Sequence, residues 1–337
     1  MSTAPATPTR GHNRRMLAVV VLIPVLAALA LWAFAWPAAR TAPRDLPLGV
    51  AGPTAATAQM EKQLAEHKGA FEIHHYADEA AARDAVEDRT VYGAVVVTPQ
   101  GPELLTASAA SPVVAQLLTQ AVTQQAAATG TEVRTVDVVA APAGDPRGAA
   151  LGASVLPLAL AGIIAGATVT MLGLRGIRAA LTLVGAAAVV GVVAAALAHS
   201  WLGVLTGDWW TEAGTLGLST LAVGAAVAGL AALVGPAGIG VVAFLMMFLG
   251  NPFSGAASAP RMLPEPVGTI GQWLPPGAGT TLLRSVSFFD GAAATGPVLT
   301  LTWWAALGLG AVLLGNTLKA RTKTQEPVTE RELTAVG

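Results

Sequence analysis

Few side chains in this sequence could do covalent or ionic chemistry, and most lack the neighbours that such chemistry needs. Ser111, Ser154 and Ser254 could act as nucleophiles only beside a His and a carboxylate, because a neutral hydroxyl needs a base to take its proton. No such pattern accompanies them. His74 and His75, with Asp78 and Glu79 nearby, suggest a metal, but adjacent residues on a strand point to opposite faces, so no metal site is expected. Cysteine is absent, which removes thiolate metal sites, disulfides and cysteine nucleophiles. A phosphate-cradling loop needs lysine directly after a glycine. None of Lys62, Lys68, Lys319 and Lys323 satisfies this, so no ATPase of that type is expected in the chain. Asp208 and Glu212 flank Trp209 and Trp210 and read as a solvated interface turn rather than an acid/base pair. The expectation is a chain with no catalytic residues, no cofactor and no metal.

The elements around these residues explain the scarcity. Of 337 residues, 53% are hydrophobic and only 12% charged, about half the charged share of a soluble domain. With 19 basic and 20 acidic residues the net charge is -1, so no global field attracts nucleic acid. A mean hydropathy of +0.60 points to lipid as the solvent of much of the chain. Charge-free stretches run over 16–39, 148–174, 179–207, 213–260 and 291–318. A crossing helix needs roughly 20 apolar residues, and a charge at its centre costs about 2.5–3.5 kcal/mol. Four stretches hold one helix each. The fourth holds two, split by Gly235-Pro236-Ala237-Gly238. The expected fold is therefore an all-α membrane bundle of six transmembrane helices with an inserted extracytoplasmic α/β domain.

The first span, 16–36, follows a cytoplasmic tail, 1–15, and holds eleven Leu, Ile, Val or Phe residues. A cleaved signal peptide ending at Ala33-Phe34-Ala35 is the competing reading, but an apolar run this long exceeds the usual h-region and favours an uncleaved helix. Arg10, Arg14 and Arg15 precede the first span, Arg175 and Arg178 lie between the second and third, and Lys319, Arg321 and Lys323 follow the sixth. Alternation puts all three clusters on one side, so both termini are expected in the cytoplasm, with 319–337 as a polar tail. The tryptophans fall towards the opposite side, where interfaces favour them.

Residues 37–148 carry more than half of the charges and alternate strand-like and helix-like patterns: 46–51, 54–68, 71–76, 78–88, 92–98, 103–107 and 131–140. Ser111 reads as an N-cap with Pro112 at the first helical position. Residues 141–147, with Pro142, Gly144 and Pro146, read as a hinge into the region 149–318, which holds spans two to six. Within it, the proline-rich segment 251–297 fits short outer or re-entrant helices and a plain loop equally well. Gly162 and Gly166 form a G-x-x-x-G that permits close helix approach, with packing inside the chain expected ahead of a dimer seam.

This layout resembles the type-2 ABC exporter permeases, particularly the phage-infection-protein-like group. The resemblance is carried by Asp145-Pro146-Arg147-Gly148, residues 153–161, Asn251-Pro252-Phe253-Ser254-Gly255 and Gln272-Trp273-Leu274-Pro275-Pro276-Gly277. It implies a multi-pass permease subunit in a bacterial plasma membrane, working as a homodimer or beside a similar permease. ATP would be bound by cytoplasmic ABC ATPase partner subunits, and a hydrophobic or amphipathic substrate would move outward. The family places its coupling segment between the second and third spans, here Arg175, Gly176, Ile177 and Arg178. The arginines fit contacts to an acidic partner and a bare topology signal equally. Alternating access would open a pathway lined by hydroxyls such as Thr168, Thr170, Ser219 and Thr220. The other reading is a non-transporting membrane scaffold or surface receptor acting through its outer domain.

Overall fold

The computed structural model describes residues 10–66, 68–130 and 132–324. Residues 1–9 and 325–337, which hold most of the two expected tails, lie outside them. Helix α1, Arg10–Ala39, is apolar on every face from Met16 onward, and among its described side chains only those of the last turns meet the rest of the chain. In its membrane-competent part, 6% of the most apolar window is buried.

The α/β domain follows as β1 (Leu46–Ala51), α2 (Thr54–Ala65), β2 (Phe71–Tyr76), α3 (Glu79–Glu87), β3 (Gly93–Thr98), β4 (Gly101–Thr106), α4 (Pro112–Thr129) and β5 (Arg134–Asp137). The sheet order is β2-β1-β3-β4-β5. It is parallel except for the β3–β4 hairpin, because helices carry the chain across between the other neighbours. Side chains alternate between two apolar faces. Ala94, Val96 and Leu105 meet Ala82, Ala85 and Val86 of α3, whereas Leu48, Val95 and Leu104 face α2 and α4. Asp78 caps α3 through Ala81 N–H at 2.9 Å. Ser111 caps α4 through Val114 N–H at 3.2 Å, with Pro112 next in line, as expected from the sequence.

The bundle comprises α5 (Ala149–Met171), α6 (Gly176–Ala195, continued by π turns Ala196–Trp201), α7 (Trp209–Val234), α8 (Ala237–Phe244, continued by π turns Leu245–Gly250), α9 (Val267–Trp273), α10 (Pro275–Phe288) and α11 (Thr295–Thr324). Helix α7 is the hub, with α5, α6, α10 and α11 packed around it. Of its most apolar window, 61% is buried, against 28% for α5, α6 and α11. Its many glycines and alanines permit this, because without hydrophobic segregation in lipid, helices associate by close backbone approach. A side chain at Gly308 of α11 would collide with the backbone of Ala225.

Among the described residues, five helices are long and apolar enough to cross a membrane by themselves, and the remaining expected span is a shorter apolar helix. The break at Gly235-Pro236 occurs where expected, but α8 and its π turns run only from Ala237 to Gly250. At 1.5 Å per residue that is about 20 Å, short of the ~30 Å hydrocarbon layer. The chain then enters the proline-rich segment, which is packed rather than a plain loop: α10 is buried along nearly its whole length.

That segment joins bundle to domain. Ala259 and Met262 pack into the apolar layer under α4, and Phe289 packs into the layer on the α3 face. Ala42 N–H donates to Met262 O, and Arg44 N–H to Arg261 O, both at 3.0 Å.

Candidate coupling and pathway site

Asp145, in the expected hinge, is buried and organises the start of α5. Its carboxylate accepts from Ala149 N–H and Ala150 N–H, each at 2.8 Å, and from Leu151 N–H at 3.4 Å. Those donors have no partner within the helix, and negative charge is favoured at a helix N-terminus. Asp-Pro-Arg-Gly is thus a helix-start device, with Gly148 in the left-handed region at φ 62°.

The expected coupling segment is a tight turn. Gly173 and Gly176 have positive φ, and Arg175 is extended at the N-cap of α6. Arg175, Ile177 and Arg178 are exposed and Gly176 is buried. Beside this turn is a cavity of about 200 Å3, lined by Thr170, Arg175, Ala228, Ala231, Gly235 and Val312 among others. Thr170 is therefore next to the arginine end of the bundle.

The four expected pathway hydroxyls are not gathered in one place. Thr168 is exposed. The other three bond to their own helices: Thr170 to Gly166 O (2.9 Å), Ser219 to Thr215 O (2.8 Å) and Thr220 to Leu216 O (2.9 Å). Ser219 instead meets Ser154, Thr215 and Thr280 around a small cavity of about 30 Å3 between α5, α7 and α10. A period count on one helix could not bring Ser154 and Thr280 to that point. Gly162 and Gly166 face α7 within the same chain, where an added Cβ would lie 2.8 Å from Thr220 O and 2.5 Å from Gly224 O respectively.

Two charged groups escape the sequence pattern. Glu212 is not in a solvated turn: it is 0% exposed in the first turn of α7. His199 Nδ1 lies 2.8 Å from its Oε2, and Gly207 N–H donates to its Oε1 at 2.8 Å. The π turns at the end of α6 place His199 there. Asp208, by contrast, is exposed and caps α7. Thr211, through its hydroxyl first and its backbone N–H second, holds this carboxyl below the usual range.

Arg284 is buried in α10, inside a stretch that reads as apolar, and donates to Ala256 O. Arg89 reaches α10 from the α/β domain, donating to Thr281 O (3.1 Å) and Ser285 Oγ, with its guanidinium over the Phe289 ring. Burial lowers the Arg89 pKa, and Tyr92 partly offsets this. These contacts clamp the domain to α10. His74 and His75 lie near different carboxylates, Glu72 and Glu61.

Residues 14–139, fewer than half of the chain, match the family model described as "ABC-2 family transporter protein". No curated protein and no solved structure matches the chain. The matched region is α1 and the α/β domain, and the remaining apolar helices lie beyond it. The chain is a multi-pass membrane protein similar, over its first helix and α/β domain, to the ABC-2 transporter family.

Proposed function

We propose that this protein is the membrane permease subunit of an ATP-driven exporter of the phage-infection-protein-like group, with ATP hydrolysed by a cytoplasmic partner. The observation that carries the reading is the family match over residues 14–139. The short helix α8 with its π turns makes the fifth of six crossings, completed by the packed segment that follows it. Six crossings keep both termini in the cytoplasm of a bacterial plasma membrane and the α/β domain outside. Two such subunits, identical or similar, enclose the pathway, and a hydrophobic or amphipathic substrate moves outward through it. The turn Arg175–Arg178 receives the force from the ATPase. Thr168, Thr170, Ser219 and Thr220 line the surfaces that separate during transport.

The test is reconstitution with an ATPase encoded beside the gene. The permease should stimulate ATP hydrolysis, and Arg175→Gln with Arg178→Gln should reduce that stimulation severalfold without loss of membrane insertion. Absence of both association and stimulation would favour a receptor acting through the α/β domain.

A further inference from the structure

The two faces of the sheet in the α/β domain are covered unequally. Helix α3 seals one face with Ala82, Ala85 and Val86 in direct contact with the strands. On the other face, α2 and α4 leave between them a cavity of about 490 Å3. Its floor is the sheet at Leu48 and Val95, each 1% exposed. Its walls are Met60 and Leu64 of α2 and Leu117 and Ala121 of α4. Protein interiors pack as densely as organic crystals, so an apolar space of this size is not packing slack. It falls within the ~300–1,000 Å3 range of small-molecule sites.

Three features select the occupant. The walls are mostly apolar, with Met60, Leu64, Phe71 and Leu117 around the space and Gln125 the one uncharged polar side chain among the described lining residues, so they fit a flexible hydrocarbon. Among the described lining residues the only ionisable side chain is Glu66. An anionic end group would therefore be repelled, whereas a neutral or amine-bearing one would not. Finally, Pro43 is at the mouth, four residues beyond the end of α1 at Ala39. That is at most about 14 Å of extended chain, so the opening lies close to where α1 leaves its apolar surroundings.

We propose that this cavity binds the hydrocarbon chain of one amphiphile whose polar end is neutral or carries an amine, held beside Glu66. The proposal rests on the permease reading and names the substrate class that the α/β domain would hold.

The test uses the full chain in lipid nanodiscs without any ATPase. Three probes of equal chain length carry a diazirine on the chain: an alkylamine, an alcohol and a fatty acid. After photolysis, adducts are mapped by peptide mass spectrometry. The amine and alcohol should label the peptides holding Met60, Leu64 and Leu117, and the fatty acid should label them about tenfold less. Ala121→Trp fills the cavity from an exposed position and should reduce those adducts about tenfold, while adducts on Leu17 and Val20 of α1 stay unchanged. Glu66→Gln, which leaves the walls intact, should bring the amine and the acid to similar labelling.

Adducts confined to the membrane helices, undiminished labelling in Ala121→Trp, or preference for the fatty acid would overturn the proposal. Labelling lost while ATPase stimulation persists removes the site alone. Labelling kept without stimulation by any ATPase leaves the site but removes its role as a cargo site.

Discussion

Asp145, Glu212 and Asp208 are three carboxylates near helix starts, and their surroundings give them different weight. Asp145 is buried and satisfies three N–H groups, so Asp145→Ala should lower stability by about 1.5–3 kcal/mol, the usual loss for hydrogen bonds to a charged group. Denaturation in detergent checks this. Glu212 holds the end of α6 to the start of α7 through His199 and Gly207. Glu212→Gln keeps the shape and an acceptor, whereas His199→Ala leaves a buried carboxyl short of a partner. The alanine variant should therefore be the less stable by thermal midpoint. Asp208 is exposed and its pKa is lowered in the folded state. A lowered carboxyl stabilises fully above its unfolded value, about 3.9, and loses that contribution as pH falls through the folded value. The thermal midpoints of the protein and of Asp208→Ala should differ at neutral pH and converge only below about pH 4, in moderate salt.

At the level of elements, the α5–α7 contact is the most demanding. Gly162 and Gly166 leave no room for a Cβ against the α7 backbone. Gly166→Leu should therefore force the helices apart and abolish a monodisperse folded fraction, as size-exclusion chromatography would report. The contrast with Gly185 of α6 makes this specific, since nothing lies within 4 Å of a Cβ there and Gly185→Ala should be tolerated. The same comparison shows why the G-x-x-x-G, read as packing within the chain ahead of a dimer seam, could not name the helix it packs on. Glycine spacing shows that something comes close, but only the fold shows that it is α7.

Over the whole molecule, the decisive expectation is orientation. Because the sequence contains no cysteine, single introduced cysteines can report it cleanly. Glu87→Cys in the α/β domain should react with an impermeant maleimide added to intact cells, and Arg178→Cys should react only after the membrane is opened. The reverse pattern would overturn the topology. The clamp between domain and bundle gives a second whole-molecule test. Arg89→Ala removes the donor to Thr281 and Ser285, so it should raise hydrogen exchange in α10 and at the end of α3 while the sheet stays protected.

The sequence by itself marked the segments long and apolar enough for lipid, because a charge inside a crossing helix is costly. It also set the order of strands and helices between the first two spans, where period-two and period-3.6 patterns are local properties of the chain. Ser111 was legible as a cap for the same reason: a cap acts on N–H groups two or three residues away. What lies across space was decided only by the tertiary structure. Ser154, Ser219 and Thr280 share a cavity through three different helices, and Glu212 is buried because π turns bring His199 over it. Arg284 is in an apolar stretch yet finds Ala256 O on a segment 28 residues away. The length of the helix after Gly235-Pro236 was likewise settled by packing. A charge-free sequence leaves open how far a helix continues, and the segment from Asn251 onward folds back onto α9 and α10, where Gly250 meets Pro276 and Gly271 meets Phe253.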